Sequence, residues 1–406
     1  MTPILPPAIL GVLGGGQLGG FFVRAARRLG YGTAVLDPDA EAPAHALADH
    51  RIVAELDDAA ALDRLATLCA AVTVEREGVP ASTLHRLAAR CTVAPNAEAL
   101  AIGQDRLREK RFLRAIGLPT APWREVLAPA DAAPGALFPA LLKTARGGYD
   151  GKGQRRPEAP GELPAAWRAL GAVPCVLEKR LALERELSLV LARGRDGRTA
   201  AYPVAENRHR AGILHTSVAP APIPEALAAQ AVAAAERIAS ALDYVGVLAV
   251  EFFVAGGALR VNEFAPRPHN SGHFTLDACA TSQFEQQVRA LCGLPLGETT
   301  LRSPAAMLNV LGEAWAAGEP PWPGLMRGHR GTLHLYGKRQ AKLGRKMAHV
   351  TLLAASASAA LAEAEALHAQ LMRHANAPVL GRARGRIARA PAGQAAFKTA
   401  PARDSR

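Results

Sequence analysis

No two cysteines in this chain are spaced as CxxC, and the five present, Cys69, Cys91, Cys175, Cys279 and Cys292, are scattered and odd in number. That spacing excludes a zinc framework and a disulfide-stapled secreted scaffold, leaving buried thiols. The N-terminal stretch MTPILPPAILGVLGGG has neither a charged lead-in nor a long apolar run. No signal peptide or membrane partner is expected, and the cytoplasm is the default location. Repeats at solenoid spacing are missing as well. Acidic residues are the minority, 36 against 48 basic ones, for a net charge of +12. Half of that surplus lies in residues 381–406, an Ala/Arg/Gly/Pro tail with seven basic side chains and one acid that is expected to be disordered. Its arginine run carries no interleaved aromatic residues, which argues against a nucleic-acid partner. The remaining positive charge suits small anions such as nucleotides. A length of 406 residues, 49% of them hydrophobic, is enough for two to four domains with ample core.

What is present centres on residues 245–274, VGVLAVEFFVAGGALRVNEFAPRPHNSGHF. Two apolar runs flank Gly256-Gly257, the first carrying Glu251 and the second Asn262 and Glu263, so a hairpin brings two carboxylates and an amide together. Magnesium takes such oxygen ligands and completes its shell with water and nucleotide phosphates. Register decides whether it can. A loop of the two glycines alone sets Glu251 opposite Asn262 and sends Glu263 to the other face. A three-residue loop or a bulge puts both glutamates on one face, and that arrangement is predicted. The same residues would also suit an exposed hairpin with solvated acids. Just downstream, Pro266 and Pro268 rule out regular structure around Arg267, His269, Asn270, Ser271 and His273, leaving a rigid polar loop fit for a phosphate or substrate.

From the start of the chain, AILGVL, GGGQLGG and a helical pattern through Arg28, then TAVLD, make a strand, glycine turn, helix and strand. The alternation continues to about residue 100, predicting a parallel α/β domain. Gly14, Gly16 and Gly19 satisfy GxGxxG, with Asp37 near the place of a ribose-binding acid, which on its own reads as a dinucleotide site. The turn can hold other anions too, since its amides face outward. Glu75 and Glu77 end a parallel strand, where open α/β sheets bind ligands. Residues 96–116 read as a helix pair, 224–243 as a helix opened by Pro224, 276–292 as helical, 305–311 as a strand, and 358–374 as a final helix. Lys143 sits in a strand before Gly147, Gly148, Gly151 and Gly153. This is no Walker loop, but such a loop can cover a polyphosphate. Glu178 and Lys179 end the next strand, where an acid would suit an adenine amino group or ribose hydroxyls. Residues 331–353 read as a strand, a basic loop with Lys338, Arg345 and Lys346, and a strand; the loop could clamp a phosphate.

Taken in order, GGGQLG, TVEREGVP, QDRLREK, LLKTARGGYDGKGQ, ELSLV, GVLAVEFF, VNEFAPRPHNSGHFT, TSQFEQ and LYGKRQAKLGRKM resemble the ATP-grasp family of 5-(carboxyamino)imidazole ribonucleotide synthases, over roughly residues 9–375. The resemblance implies an α/β fold, α+β in parts: a parallel pre-ATP-grasp domain (1–100), a lid domain (101–205), and a larger C-terminal domain (206–380) before the tail (381–406). It implies a homodimeric ligase that uses ATP, bicarbonate and magnesium, with manganese as a substitute, to carboxylate 5-aminoimidazole ribonucleotide. By motif match ATP would meet Arg106, Lys143, Gly148, Tyr149, Asp150, Gly151, Lys152, Gly153, Gln154, Glu178, Lys179, Glu186, His209, Asn262 and Glu263. The metal would lie on Glu251 and Glu263. The ribonucleotide would lie against Gln17, Leu18, Glu75, His269 and His273, with Lys338 and Arg345 on its phosphate. Asp150, Arg267, Asn270 and His273 would surround the reacting centre. Arg76 and Ala348 depart from the family pattern.

Overall fold

The computed structural model describes residues 2–128, 131, 135–148 and 152–377. Its first sheet is parallel, in the order β3-β2-β1-β4-β5, from β1 (Ile9–Leu13), β2 (Gly32–Leu36), β3 (His50–Ile52), β4 (Ala71–Val74) and β5 (Thr92–Val93). The central strands are apolar almost throughout because both of their faces are covered. Helices α2 (Ala59–Leu68) and α3 (Ala81–Ala88) pack on one face, over Leu13, Ala34, Val72 and Val74. On the other, Phe22 and Val23 of α1 (Gln17–Arg28) lie with Val288 and Leu291, which come from far along the chain.

The helix pair expected over 96–116 forms as α4 (Ala97–Gly103) and α5 (Arg106–Ala115). Each starts at a side-chain cap, Asn96 accepting from the Ala99 amide at 2.8 Å and Asp105 from the Leu107 amide at 3.0 Å. A small antiparallel sheet follows, β6-β9-β7-β8, from β6 (Trp123–Val126), β7 (Ala140–Thr144), β8 (Gln154–Arg155) and β9 (Cys175–Lys179), backed by α6 (Leu163–Ala169).

The large antiparallel sheet runs β15-β14-β10-β12-β13-β16-β18-β17, with β11 also on β10. Its strands are β10 (Arg185–Arg193), β11 (Thr199–Ala201), β12 (Ala205–Arg210), β13 (Ile213–Ala219), β14 (Gly246–Ala255), β15 (Ala258–Ala265), β16 (Ala305–Leu311), β17 (Gly331–Leu335) and β18 (Lys346–Leu353). A division at 205/206 would cut this sheet, because β10 pairs with both β12 and β14; the small sheet ends at Lys179. Helix α7 (Glu225–Ala241) covers β10 and β14, while α8 (Thr275–Ala278), α9 (Gln283–Cys292), α10 (Trp322–Leu325) and α11 (Ala357–Ala375) complete the chain. The helix expected over 276–292 is broken at 279–282, and Ser282 caps its second piece.

Helix α9 ties the two large sheets together. Gln287 donates to Thr73 Oγ1 at 2.8 Å and accepts from the Val247 amide at 2.6 Å. Gly246 makes room for it: its φ is +121°, and a Cβ there would lie 2.9 Å from Gln287 Oε1.

Candidate active site

The hairpin β14–β15 turns on Gly256-Gly257, with Ala255 opposite Ala258. That loop alone would pair Glu251 with Asn262, yet Glu251 lies opposite Glu263 because Asn262 is an extra residue in a bulge. Of the two devices the sequence left open, a three-residue loop or a bulge, the bulge is the one that sets both acids on one face. Burial, and then the facing Glu263, push Glu251 up to about 7.

Helix α5 holds this bulge from behind. Lys110 Nζ donates to the Asn262 carbonyl at 2.8 Å, and Glu109 Oε1 accepts from the Phe264 amide at 2.6 Å. Burial and the nearby Glu263 raise Glu109 to about 8, against the pull of Lys110. Glu178 lies between two lysines, 2.7 Å from Lys110 and 2.5 Å from Lys143, and is 2% exposed. Burial works against its charge, but the two ammonium groups hold it at about 2. Glu178, expected from the sequence beside an adenine amino group or ribose hydroxyls, has its carboxylate on those two lysines. Lys143 stays charged although burial opposes it, because Glu178 and Glu263 raise its pKa. Glu109 and Lys110 were not singled out from the sequence; the only signal was their place in QDRLREK beside Arg106.

Arg106 donates to the carbonyls of Thr144 (3.0 Å) and Gly148 (2.7 Å), fixing the start of the glycine-rich loop. Strands β7 and β8 bracket that loop, with Lys143 opposite Gln154. Gly153 has a φ of +68°, and a Cβ there would lie 2.7 Å from Thr144 Oγ1. Tyr149, Asp150 and Gly151 lie outside the described residues, while Lys152 is exposed. Lys179, at the end of β9, is also exposed. Across the large sheet, His209 Nδ1 is 2.9 Å from Glu186. Burial opposes charge on His209, but Glu186 and then Glu251 raise it.

The expected substrate residues form a second group. Arg267 pairs with Glu77 at 2.6 Å, and the exposed Arg76 leaves that contact in place. His269 joins the two groups, since its Nε2 is 3.4 Å from Glu251 while its Nδ1 meets Ser271 Oγ at 2.9 Å. Burial, reinforced by Arg267, keeps His269 neutral. Lys338 donates to the Lys346 carbonyl at 2.7 Å, and Arg345 to that of Gln340 at 3.1 Å. Gln17 lines a cavity of about 390 Å³ between α1, residues 40–47 and the segment after β17, so the open volume adjoins the substrate end. Leu18 packs beside Phe21, Phe284 and Tyr336. Ala348 is buried in the core under β18.

Two of the positions expected at the reacting centre, Asn270 and His273, are buried. Asn270 gives both polar atoms to Asn309, donating at 3.0 Å and accepting at 2.7 Å, and is 6% exposed. His273 is 0% exposed, packed against Phe21, Phe284 and His349. Both shape the loop from behind.

The GxGxxG turn also has another use. Glu75 accepts from the amides of Gly16 and Gly19, each at 2.6 Å, and a Cβ on Gly14 would lie 2.3 Å from its Cγ. Asp37 accepts from the Gly15 amide at 2.7 Å and the Asp39 amide at 2.8 Å. The glycines accommodate an internal carboxylate where a dinucleotide pyrophosphate would sit, and Asp37 is occupied with its own turn. The reading of this turn as a dinucleotide site loses both of its anchors.

Asp277, His334 and His349 offer ligand atoms within 4.8 Å of one another. The rings of His334 and His349, however, are stacked 16° from parallel with centroids 4.4 Å apart, so their in-plane lone pairs do not converge on one ion. No described helix is long and apolar enough to cross a membrane.

Family models match along the chain: a ribonucleotide synthetase pre-ATP-grasp domain over 8–104, an ATP-grasp domain over 111–284, and a phosphoribosylaminoimidazole carboxylase C-terminal domain over 305–363. The chain is 46% identical to the N5-carboxyaminoimidazole ribonucleotide synthase of Brucella melitensis, over 86% of this chain and 97% of the relative. With that of Bacillus subtilis it shares 40% identity, over 86% and 92%. Among solved structures, an ADP complex of an N5-carboxyaminoimidazole ribonucleotide synthetase superposes with a TM-score of 0.86 at 41% identity, covering 93% of this chain and 100% of that one. The Aspergillus clavatus synthase in complex with ADP and 5-aminoimidazole ribonucleotide gives 0.81 at 31% identity, covering 90% and 99%. With this degree of likeness over nearly its whole described length, and the facing glutamates and lysine-held Glu178 in place, the chain belongs to the N5-carboxyaminoimidazole ribonucleotide synthase family of ATP-grasp enzymes.

Proposed function

We propose that the chain carboxylates the exocyclic amine of 5-aminoimidazole ribonucleotide with ATP and bicarbonate, giving N5-carboxyaminoimidazole ribonucleotide, ADP and phosphate for de novo purine (IMP) synthesis. The observation that carries this reading is the bulge at Asn262, which faces Glu251 with Glu263 within electrostatic reach of Lys143. Two facing carboxylates, one raised to about 7, form a hard-oxygen donor set that a divalent cation would relieve. Glu251 and Glu263 would hold Mg2+, or Mn2+ in its place, and the ion supplies charge neutralisation to the nucleotide phosphates.

Around them, Arg106 and Lys143 furnish fixed positive charge for the phosphates. The loop Gly148, Tyr149, Asp150, Gly151, Lys152, Gly153 and Gln154 is the flap that excludes water from a reactive anhydride. Glu178, with Lys179, Glu186, His209 and Asn262, borders the nucleotide, Glu178 acting through the lysines it holds. A bicarbonate oxygen attacks the γ-phosphorus, and the bond to ADP breaks, giving carboxyphosphate. The amine nitrogen then bonds to the carboxyl carbon; the carbon–oxygen bond to phosphate breaks and the nitrogen loses a proton. His269 stays neutral, so it orients the reactants without adding charge. Arg267 and Asp150 approach the carboxyl group, Gln17, Leu18 and Glu75 flank the ribonucleotide, and Lys338 and Arg345 take its phosphate. Family resemblance supports a homodimer, and phosphorylated substrates suit the cytoplasm.

ADP release measured while ATP, bicarbonate and 5-aminoimidazole ribonucleotide are omitted in turn tests the proposal. Turnover is expected only with all three. Dependence on formate or biotin in place of the aminoimidazole would make the chain another ATP-grasp enzyme, a glycinamide ribonucleotide transformylase or a biotin carboxylase. Sedimentation checks the dimer.

A further inference from the structure

Phe21 lies one helical turn beyond Gln17, on α1, and is 4% exposed. Its ring meets five others, all from the second half of the chain: Phe284 (centroids 5.0 Å apart), His273 (5.5 Å), His334 (5.7 Å), His349 (5.7 Å) and Tyr336 (6.0 Å). Behind it runs a chain of polar contacts. Asp277 is 2.9 Å from His334 Nε2, His334 stacks on His349, and His349 Nδ1 meets the Tyr336 hydroxyl at 2.9 Å. Tyr336 then presents its ring face to the Lys338 ammonium, 5.3 Å from the centroid. The register of β17 and β18 sets this up, since His334 and His349 are directly paired.

We infer that Phe21 and the Asp277–His334–His349–Tyr336 chain are positioning residues that hold the start of α1 and the Lys338 segment in one fixed relation. This rests on the proposed placement of Gln17 and Lys338 on the ribonucleotide. Those two residues lie beside different sheets, Gln17 at the start of α1 and Lys338 tied locally to the Lys346 carbonyl at 2.7 Å, so their placement relative to each other depends on what packs between them. The ring cluster is the material between them. A hydroxyl fixed by a buried imidazole prevents Tyr336 from rotating or shifting, and so keeps Lys338 over its face. Phe21 transmits that position to α1 by packing, where a shift of even a fraction of an ångström is felt.

The test compares Tyr336→Phe, His349→Leu, His349→Asn and Lys338→Met in the full chain, reading KM for the aminoimidazole ribonucleotide, KM for ATP, kcat and thermal midpoint. Tyr336→Phe and His349→Leu should each raise the ribonucleotide KM about five- to tenfold, the scale of one lost buried hydrogen bond. KM for ATP and kcat should stay within about twofold. His349→Asn, whose side-chain amide can still meet the Tyr336 hydroxyl, should recover most of the loss. If His349→Leu does not fold, Tyr336→Phe decides, because it keeps the ring. Equal changes in both KM values, or a lowered thermal midpoint with neither KM moved, would overturn the inference in favour of plain packing. A Lys338→Met chain with unchanged ribonucleotide KM would remove the substrate placement itself and the inference with it. A rise there with a flat Tyr336→Phe would remove the inference alone.

Discussion

The hairpin end and the α1 end of the proposed cleft are held together by different means. Around the hairpin, structure comes from buried charge: Lys110 and Lys143 on Glu178, with Glu109 and Glu263 close by. Around Phe21 and β17–β18 it comes chiefly from rings and uncharged amides, those packed about Phe21 and the pair Asn270–Asn309. The difference follows from the cargo each end would hold. A triphosphate with its cation would need fixed charges that do not reorganise on binding, whereas the amine to be carboxylated would need aim, the ribonucleotide's own phosphate being left to Lys338 and Arg345.

This contrast can be broken first at the facing glutamates, Glu251 and Glu263. Glu263→Gln should reduce turnover by roughly a thousandfold or more, several kcal/mol of transition-state stabilisation, in a steady-state ADP assay. Activity near that of the unaltered chain would separate the hairpin from catalysis. Lys110→Met comes next. It leaves Glu178 with one cation and the Asn262 carbonyl without its donor, and should cost about 3–5 kcal/mol of stability by denaturant titration. A loss below about 1 kcal/mol would show that the buried triad is not what holds this end.

The pH dependence sharpens the same point. Glu178 is depressed to about 2 in the fold from a usual value of 4.5, so the unfolded chain binds its proton more readily. Its stabilising contribution, roughly 3 kcal/mol, is present above about pH 4.5 and lost as the pH falls toward 2. The stability gap between the unaltered chain and Glu178→Gln should therefore close over that window; a constant gap would contradict it. The smallest effect is expected from the tail, whose deletion (381–406) should leave ATP turnover within about twofold of the full chain, by the same ADP assay.

The parts of the fold carried by local pattern could be read directly from the sequence. Alternating apolar runs and glycine turns marked β1, α1 and β2, and the two-glycine loop made the Glu251–Glu263 question sharp enough to predict that both acids share a face, by a longer loop or a bulge. What could not be read depended on partners distant in sequence. Lys110 and Glu109 are neighbours on an apparently charged, solvent-facing helix. Their burial becomes intelligible only when Glu178, Asn262 and Phe264 are brought against them. His334 and His349 look like ordinary strand residues until the pairing of β17 with β18 sets them side by side. The glycine spacing of the first turn was visible, but not the side chain that fills it, because Glu75 arrives from a parallel neighbour.

That filling carries a further consequence. A phosphate-binding turn that depends on its guest slackens whenever the guest departs, and must be rebuilt at each arrival. Here the carboxyl group is part of the polypeptide, Glu75 accepting from the amides of Gly16 and Gly19 while burial raises its pKa. The base of α1 is thus braced by the polypeptide itself and needs no bound phosphate to hold its shape.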